Sequence, residues 1–328
     1  MSQTSLPESN QPIVNSLGAP WPEDLSPDFL DQLRSQGVGV VGCTANVTWE
    51  DTLESIENFE TVKAIVREHP STYILRDSKD LDCDEYRGKV GVLLGMQNPK
   101  ALSDSLRLVE AFHDLGLRCL SLAFNENSYY GCGHAIETDT GLTALGKRAV
   151  QLMNRLGIVI DLSHSGDRTA LEAVELSEQP TIFSHSTSRT LFNRTRSAPD
   201  ELIVAAARKG GVICQDVRAN TNVAEYVDWV DYCVKLVGVD HVGVAAQDDW
   251  RRSFKDTRRI APYLPSFAVE LEKRDWSEDK VFRRSGIGAQ LLDRENLASQ
   301  LKKSEYTDEA INQILGGNMM RVLRTVLR

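Results

Sequence analysis

Two histidines stand in matching places within Ile158–Ser188, IVIDLSHSGDRTALEAVELSEQPTIFSHSTS. The short apolar run Ile158–Asp161 leads into Leu162-Ser163-His164, and Thr181–Phe183 leads into Ser184-His185-Ser186. Between them, Thr169–Leu176 has helical composition. The pattern predicts strand, helix, strand. It places His164 and His185 side by side at the carboxyl edge of a parallel sheet, where α/β barrels and doubly wound sheets carry their catalytic groups. Two imidazoles there are a candidate metal pair or a candidate acid/base pair. One Ser-His at a strand end is commonplace; two, one βαβ unit apart, form a constellation.

Other chemistry-bearing residues surround this pair in the sequence. Asp161 precedes His164 by three residues and is placed to orient an imidazole. Arg194 and Arg196, in FNRTRSAPDEL, suit bidentate pairing with a substrate carboxylate. The glycine-rich loop Asn125–Glu137, NENSYYGCGHAIE, offers close backbone approach and polar contacts. Within it Asn127 and Tyr129 are candidate substrate contacts, and Tyr130 and His134 line the same pocket. A divalent ion needs further ligands, so the other strand ends matter. The strand over Val90–Met96 ends in Gln97, a neutral amide, and the strand beginning at His241 ends in Gln247-Asp248-Asp249. His241 itself begins a strand, the wrong end for catalysis, and reads as structural.

Strands that alternate with helices must hold these groups. Apolar runs predict strands at Pro12–Gly18, Val38–Cys43, Tyr73–Leu75, Val90–Met96, Cys119–Ala123, Ile158–Asp161, Thr181–Phe183, Val212–Cys214 and His241–Ala245. Helical spacing fills the gaps, as at Thr52–Glu68, Leu102–Leu115, Leu145–Leu156 and Val223–Val237, and it continues from Pro265 to Arg328. Such alternation over 328 residues favours a (β/α)8 barrel, a TIM barrel, with a doubly wound sheet as the alternative. No GxGxxG follows the first strand, and no Pro/Ser-rich linker divides the chain. The expected organisation is a disordered polar tail, 1–11, and one barrel domain over 12–328.

The net charge of -10 and the lack of a basic stripe argue against nucleic acid and against anionic membrane surfaces. The six cysteines form no CxxC pair, which fits reduced thiols in a cytoplasmic protein.

The ordered runs GLTALGKRAVQLMNRLGIVIDLSH, PTIFSHS, RSAPDELIVAAARKGGVI, VGVDHVGV and ILGGNMMRVL are together similar to the membrane (renal) dipeptidase family, peptidase family M19. The resemblance extends from about Val90 to the C-terminus. It implies a (β/α)8 barrel of the metal-dependent hydrolase superfamily type, two zinc ions and dipeptide hydrolysis. It carries second-zinc ligands onto His164 and His185, and the carboxylate-holding arginine onto Arg196. Elsewhere the match fails. The family's first-zinc His-x-Asp falls on Leu17 and Ala19, its bridging glutamate on Gln97, and its substrate-contacting histidine near Phe124. Its GxDFDG aspartate falls on or beside Gln247-Asp248-Asp249.

These departures leave at most one zinc, held by His164, His185 and the weak amide of Gln97. Asp248 or Asp249 then serves as base, with His134 or Tyr130 as replacement acid/base groups. The expected function is hydrolysis of a small, carboxylate-bearing peptide or amide. The alternatives are a metal-independent reaction such as a lyase step, and a non-catalytic small-ligand-binding homologue. Dimers in the family make a homodimer an open expectation.

Overall fold

The computed structural model describes residues 11–19, 22, 25–46, 50–217, 222–246 and 293–328. The tail before residue 11 and the pair Asp248 and Asp249 therefore lie outside the described residues. The described residues form nine parallel strands: β1 (Ile13–Ala19), β2 (Val38–Asn46), β3 (Thr72–Ile74), β4 (Val90–Met96), β5 (Cys119–Ser121), β6 (Val159–Asp161), β7 (Ile182–Ser186), β8 (Val212–Gln215) and β9 (Val242–Val244). Eight of them close in the order β1-β2-β4-β5-β6-β7-β8-β9, with β9 returning to β1. This is the expected (β/α)8 barrel. Its strands are rich in Val, Ile and Leu and are buried on both faces, as parallel strands covered by helices must be.

The apolar run at Tyr73–Leu75 predicts a strand, and β3 is there, one residue earlier, but it flanks the barrel. It pairs with the start of β4, Thr72 against Val90, whereas β5 takes the end of β4, Gly95 against Cys119. The Tyr73 ring occupies the space a Cβ at Gly91 would need and stacks on Tyr86 at 4.0 Å, so this strand is held from the side.

Helix limits follow local chemistry. Helix α1 (Pro27–Ser35) opens on Ser26, and α2 (Thr52–Glu68) on an Asp51/Glu54 capping box. Helix α3 (Leu106–Leu115) starts later than the spacing predicts, because Pro99–Leu102 forms a 3-10 turn and Ser103, at φ 46, breaks the run. Helix α4 (Ala144–Leu156) is capped by Thr143 and stopped by left-handed Gly157. Helices α5 (Asp167–Leu176), α6 (Asp200–Arg208) and α7 (Val223–Val237) complete the ring described up to β9.

The C-terminal helix Asn318–Val326 closes the bottom of the barrel. Its Met319, Val322, Leu323 and Val326 cluster with Val14, Val40, Val159, Ile182 and Val212 from the strands. A π turn, Gln313–Gly317, leads into it, and a Cβ at Gly316 would meet the Pro12 carbonyl at 2.0 Å. His241 donates from Nδ1 to the Gly211 carbonyl, 2.9 Å away, as a structural residue at this end.

Candidate functional site

At the opposite end, β6 and β7 deliver the two histidines together. His164 Nε2 and His185 Nε2 are 2.9 Å apart, and the ring centroids 5.0 Å. His185 lies within β7 and is 1% exposed. His164 sits just beyond β6 in the left-handed region, φ 67, a conformation that non-glycine residues adopt rarely and mostly at functional sites. Phe124 stacks on its ring at 4.3 Å. Phe124 thereby forms a wall beside the His164 ring.

Asp161 serves a different partner from the one the spacing suggests. Its Oδ1 accepts the Ser163 and Ser184 amides, each at 3.0 Å. Its Oδ2 accepts the hydroxyls of Ser121 at 3.1 Å and Ser184 at 2.5 Å. Ser184 Oγ is in turn 2.7 Å from His185 Nδ1. Asp161 therefore acts on His185 through Ser184: its carboxylate turns to the hydroxyls of the neighbouring strands β5 and β7 and not to the His164 ring.

On the other side, His164 Nδ1 lies 2.7 Å from Asn125 Oδ1, and the same oxygen lies 2.8 Å from His134 Nε2. His134 Nδ1 meets Thr195 Oγ1 at 3.1 Å. The loop after β5 is fastened down by the His134 amide, which donates to the His164 carbonyl at 3.0 Å, and by a bridge between Gly133 and Ser165. Arg196 donates to the His185 carbonyl at 2.8 Å, which keeps its guanidinium at the imidazole line. Arg189, bidentate to Asp167 at 2.5 and 2.7 Å, holds the Thr195 carbonyl.

These surroundings oppose extra positive charge. Burial, then Arg196, then His185 and His134, hold the His164 imidazole well below its ordinary range. Burial and Arg196 push His134 down to about 3. Both rings are accordingly neutral imidazoles near pH 7.

The remaining expected residues separate. Tyr130 is 1% exposed and packs in the main apolar core, where burial raises its phenol; it does not serve the mouth. Ser128 decides this, its Oγ accepting the amides of Tyr130 and Gly131, so that Tyr129 faces out at 58% exposure and Tyr130 faces in. Asn127 and Arg194 are exposed. Gln97 donates to Thr44 Oγ1 at 3.1 Å. It shares a cavity of about 20 Å³ with Ser16, Leu17, Asp161 and Ser184, room for about one water molecule.

The two Nε2 atoms converge as two donors to one ion would, since two ring nitrogens on a tetrahedral zinc stand about 3.3 Å apart. Among the described residues no three His, Cys, Asp or Glu gather into a metal-holding cluster. Leu17, 4% exposed, and the Gln97 amide occupy the ends of β1 and β4. Sequence reasoning missed Asn125 and Ser184, although both adjoin residues it singled out. Asn125 is left-handed at φ 61, a conformation asparagine tolerates but the sequence alone does not show.

The model of the family described as membrane dipeptidase (peptidase family M19) matches residues 30–286. Dipeptidase 3 of Rattus norvegicus is 25% identical over 270 residues, which are 77% of this chain and 55% of that protein. The Mus musculus protein is 26% identical over the same length. The chain thus spans about half the length of the curated relatives it matches. Among solved structures, an amidohydrolase from Pseudomonas aeruginosa superposes with a TM-score of 0.81 at 24% identity, covering 97% of each chain. A metallo peptidase from Rhodobacter sphaeroides, liganded with a phosphinate mimic of the dipeptide L-Ala-D-Ala, superposes at 0.76 and 15% identity, covering 97% of this chain and 99% of that one. These likenesses establish the same fold. No helix among the described residues is long and apolar enough to cross a membrane.

Proposed function

The chain belongs to the membrane dipeptidase family, peptidase family M19, and on that premise we propose that it hydrolyses a small peptide or amide bearing a carboxylate, with at most one divalent metal ion. The observation that carries this reading is the pair of Nε2 atoms at 2.9 Å with Arg196 anchored to the same strand end. Arg196 holds the substrate carboxylate by charge-assisted hydrogen bonds. A dipeptide carries such a group, and the Rhodobacter sphaeroides enzyme was solved with a dipeptide mimic.

His164 and His185 supply two ligands for one ion, and when bound that ion polarises a carbonyl and acidifies water. The residues at β1 and β4, the hydrocarbon Leu17 and the neutral amide Gln97, do not fit a second. His134, neutral and beside His164, is the proposed group to give or take a proton. Asp248 or Asp249 remains the proposed base.

Zinc content measured after chelation and reconstitution tests the metal count, and one ion or none per chain is expected; two tightly held zincs overturn it. A panel of dipeptides tests the activity. Arg196→Lys is expected to raise KM about 10- to 100-fold, the loss of a charge-assisted bond. Thermal stabilisation by the panel with no turnover of any member would make the chain a binding protein. The empty donor positions at β1 and β4 also favour a second reading, a metal-independent reaction in the same pocket. Activity that survives both chelator and His164→Ala supports that reading.

A further inference from the structure

We propose that Asn125 is the positioning residue of this site: its one carboxamide oxygen accepts from both His164 Nδ1 and His134 Nε2, and so dictates which nitrogen of each ring carries the proton. The distances are 2.7 and 2.8 Å. A carbonyl oxygen has two acceptor positions, and a neutral imidazole has one N–H and one bare nitrogen. A ring nitrogen facing an acceptor is the protonated one. His164 is thereby fixed as the Nδ1–H form with Nε2 bare. His134 is fixed as the Nε2–H form, and its bare Nδ1 accepts the Thr195 hydroxyl at 3.1 Å.

The backbone supports the assignment. Only four non-glycine residues among those described have positive φ, and two of them, Asn125 at 61° and His164 at 67°, meet in this hydrogen bond. Asparagine and histidine tolerate that region better than most residues, and such conformations persist where the surroundings enforce them. The Ala135 amide, 2.8 Å from the Asn125 carbonyl, holds the backbone on which the carboxamide rides.

The far end of the line is polarised in the same sense. Ser184 gives its proton to Asp161 Oδ2 at 2.5 Å, so its oxygen accepts from His185 Nδ1 at 2.7 Å. Both inner Nε2 atoms then offer lone pairs to each other across 2.9 Å. Two bare nitrogens at that distance repel. The arrangement suits one electrophile between them, whether a shared proton or a cation. Asn125 sets one half of that polarity, and Ser184 with Asp161 the other.

The inference rests on the reading of this mouth as the substrate site, but its test needs no substrate, so the two fail separately. The full chain is labelled with 15N-histidine, freed of metal, and examined by long-range 1H–15N correlation near pH 7.5, with His134→Gln and His164→Gln for assignment. The wild type is expected to show His164 protonated at Nδ1 and His134 at Nε2. Asn125→Asp, which keeps the oxygen, is expected to preserve both forms. Asn125→Gly, which accepts the positive φ and deletes the oxygen, is expected to release both rings from the fixed tautomer. A wild-type His164 protonated at Nε2 overturns the proposal without recourse to any variant. So does an Asn125→Gly protein that keeps the wild-type tautomers, or an Asn125→Asp protein that loses them.

Discussion

The barrel mouth has two arcs built from equivalent strand ends and filled in opposite ways. From β5 to β7 run Asn125, His134, His164, His185 and Arg196, in polar contact at 2.7 to 2.9 Å. From β1 to β4 the corresponding depth holds Leu17, Cys43 and Met96 with the neutral Thr44 and Gln97, around a space of about 20 Å³. In one arc side chains are oriented by polar partners; in the other they fill volume. The barrel closes equally well beneath both. The strand framework therefore closes alike beneath a largely apolar arc and a polar one.

That contrast breaks most visibly at His185. His185→Ala is expected to lower turnover about 10²- to 10⁴-fold, the usual range for removal of a positioned imidazole, with the folded state retained by circular dichroism. Leu17→Ala, on the other arc, is expected to cost about 2–5 kcal/mol of stability through the cavity it leaves, read as a lower thermal midpoint, while ligand affinity at 25 °C stays near wild type. If Leu17→Ala abolishes turnover as fully as His185→Ala, the division between the arcs is wrong.

The smallest expected effect lies outside both arcs. Burial and then Arg118 hold His113, on α3, below its ordinary range. The folded state disfavours the proton, so this contribution is complete above about pH 6.5 and is lost as pH falls below it. His113→Gln is expected to make the acid-side decline in thermal midpoint shallower. An unchanged slope would show that His113 is protonated as readily in the folded chain as in the unfolded one.

Much of the scaffold was legible because apolar runs of strand length alternate with helical spacing, and the two Ser-His strand ends could be paired from their context alone. Val90–Met96 and Thr52–Glu68 appear with the limits the sequence predicts. The place of Thr72–Ile74 outside the barrel was not legible, because pairing partners, unlike strand character, are set by long-range register. The same limit governs the site. Asp161 reads locally as a partner of His164, yet its ligands come from β5 and β7. Tyr129 and Tyr130 are adjacent and chemically alike, and only the turn closed by Ser128 decides which one enters the core. Asn125 bears on two rings, 9 and 39 residues away, and no local spacing encodes such a meeting.

The C-terminal helix beneath the strands turns the barrel into a blind well. With Met319, Val322, Leu323 and Val326 seated on the strand starts, that end is stoppered by hydrocarbon, and the imidazoles stand at the other. Under the proposed function, product leaves by the end at which substrate arrives, so the two compete for the place beside Arg196.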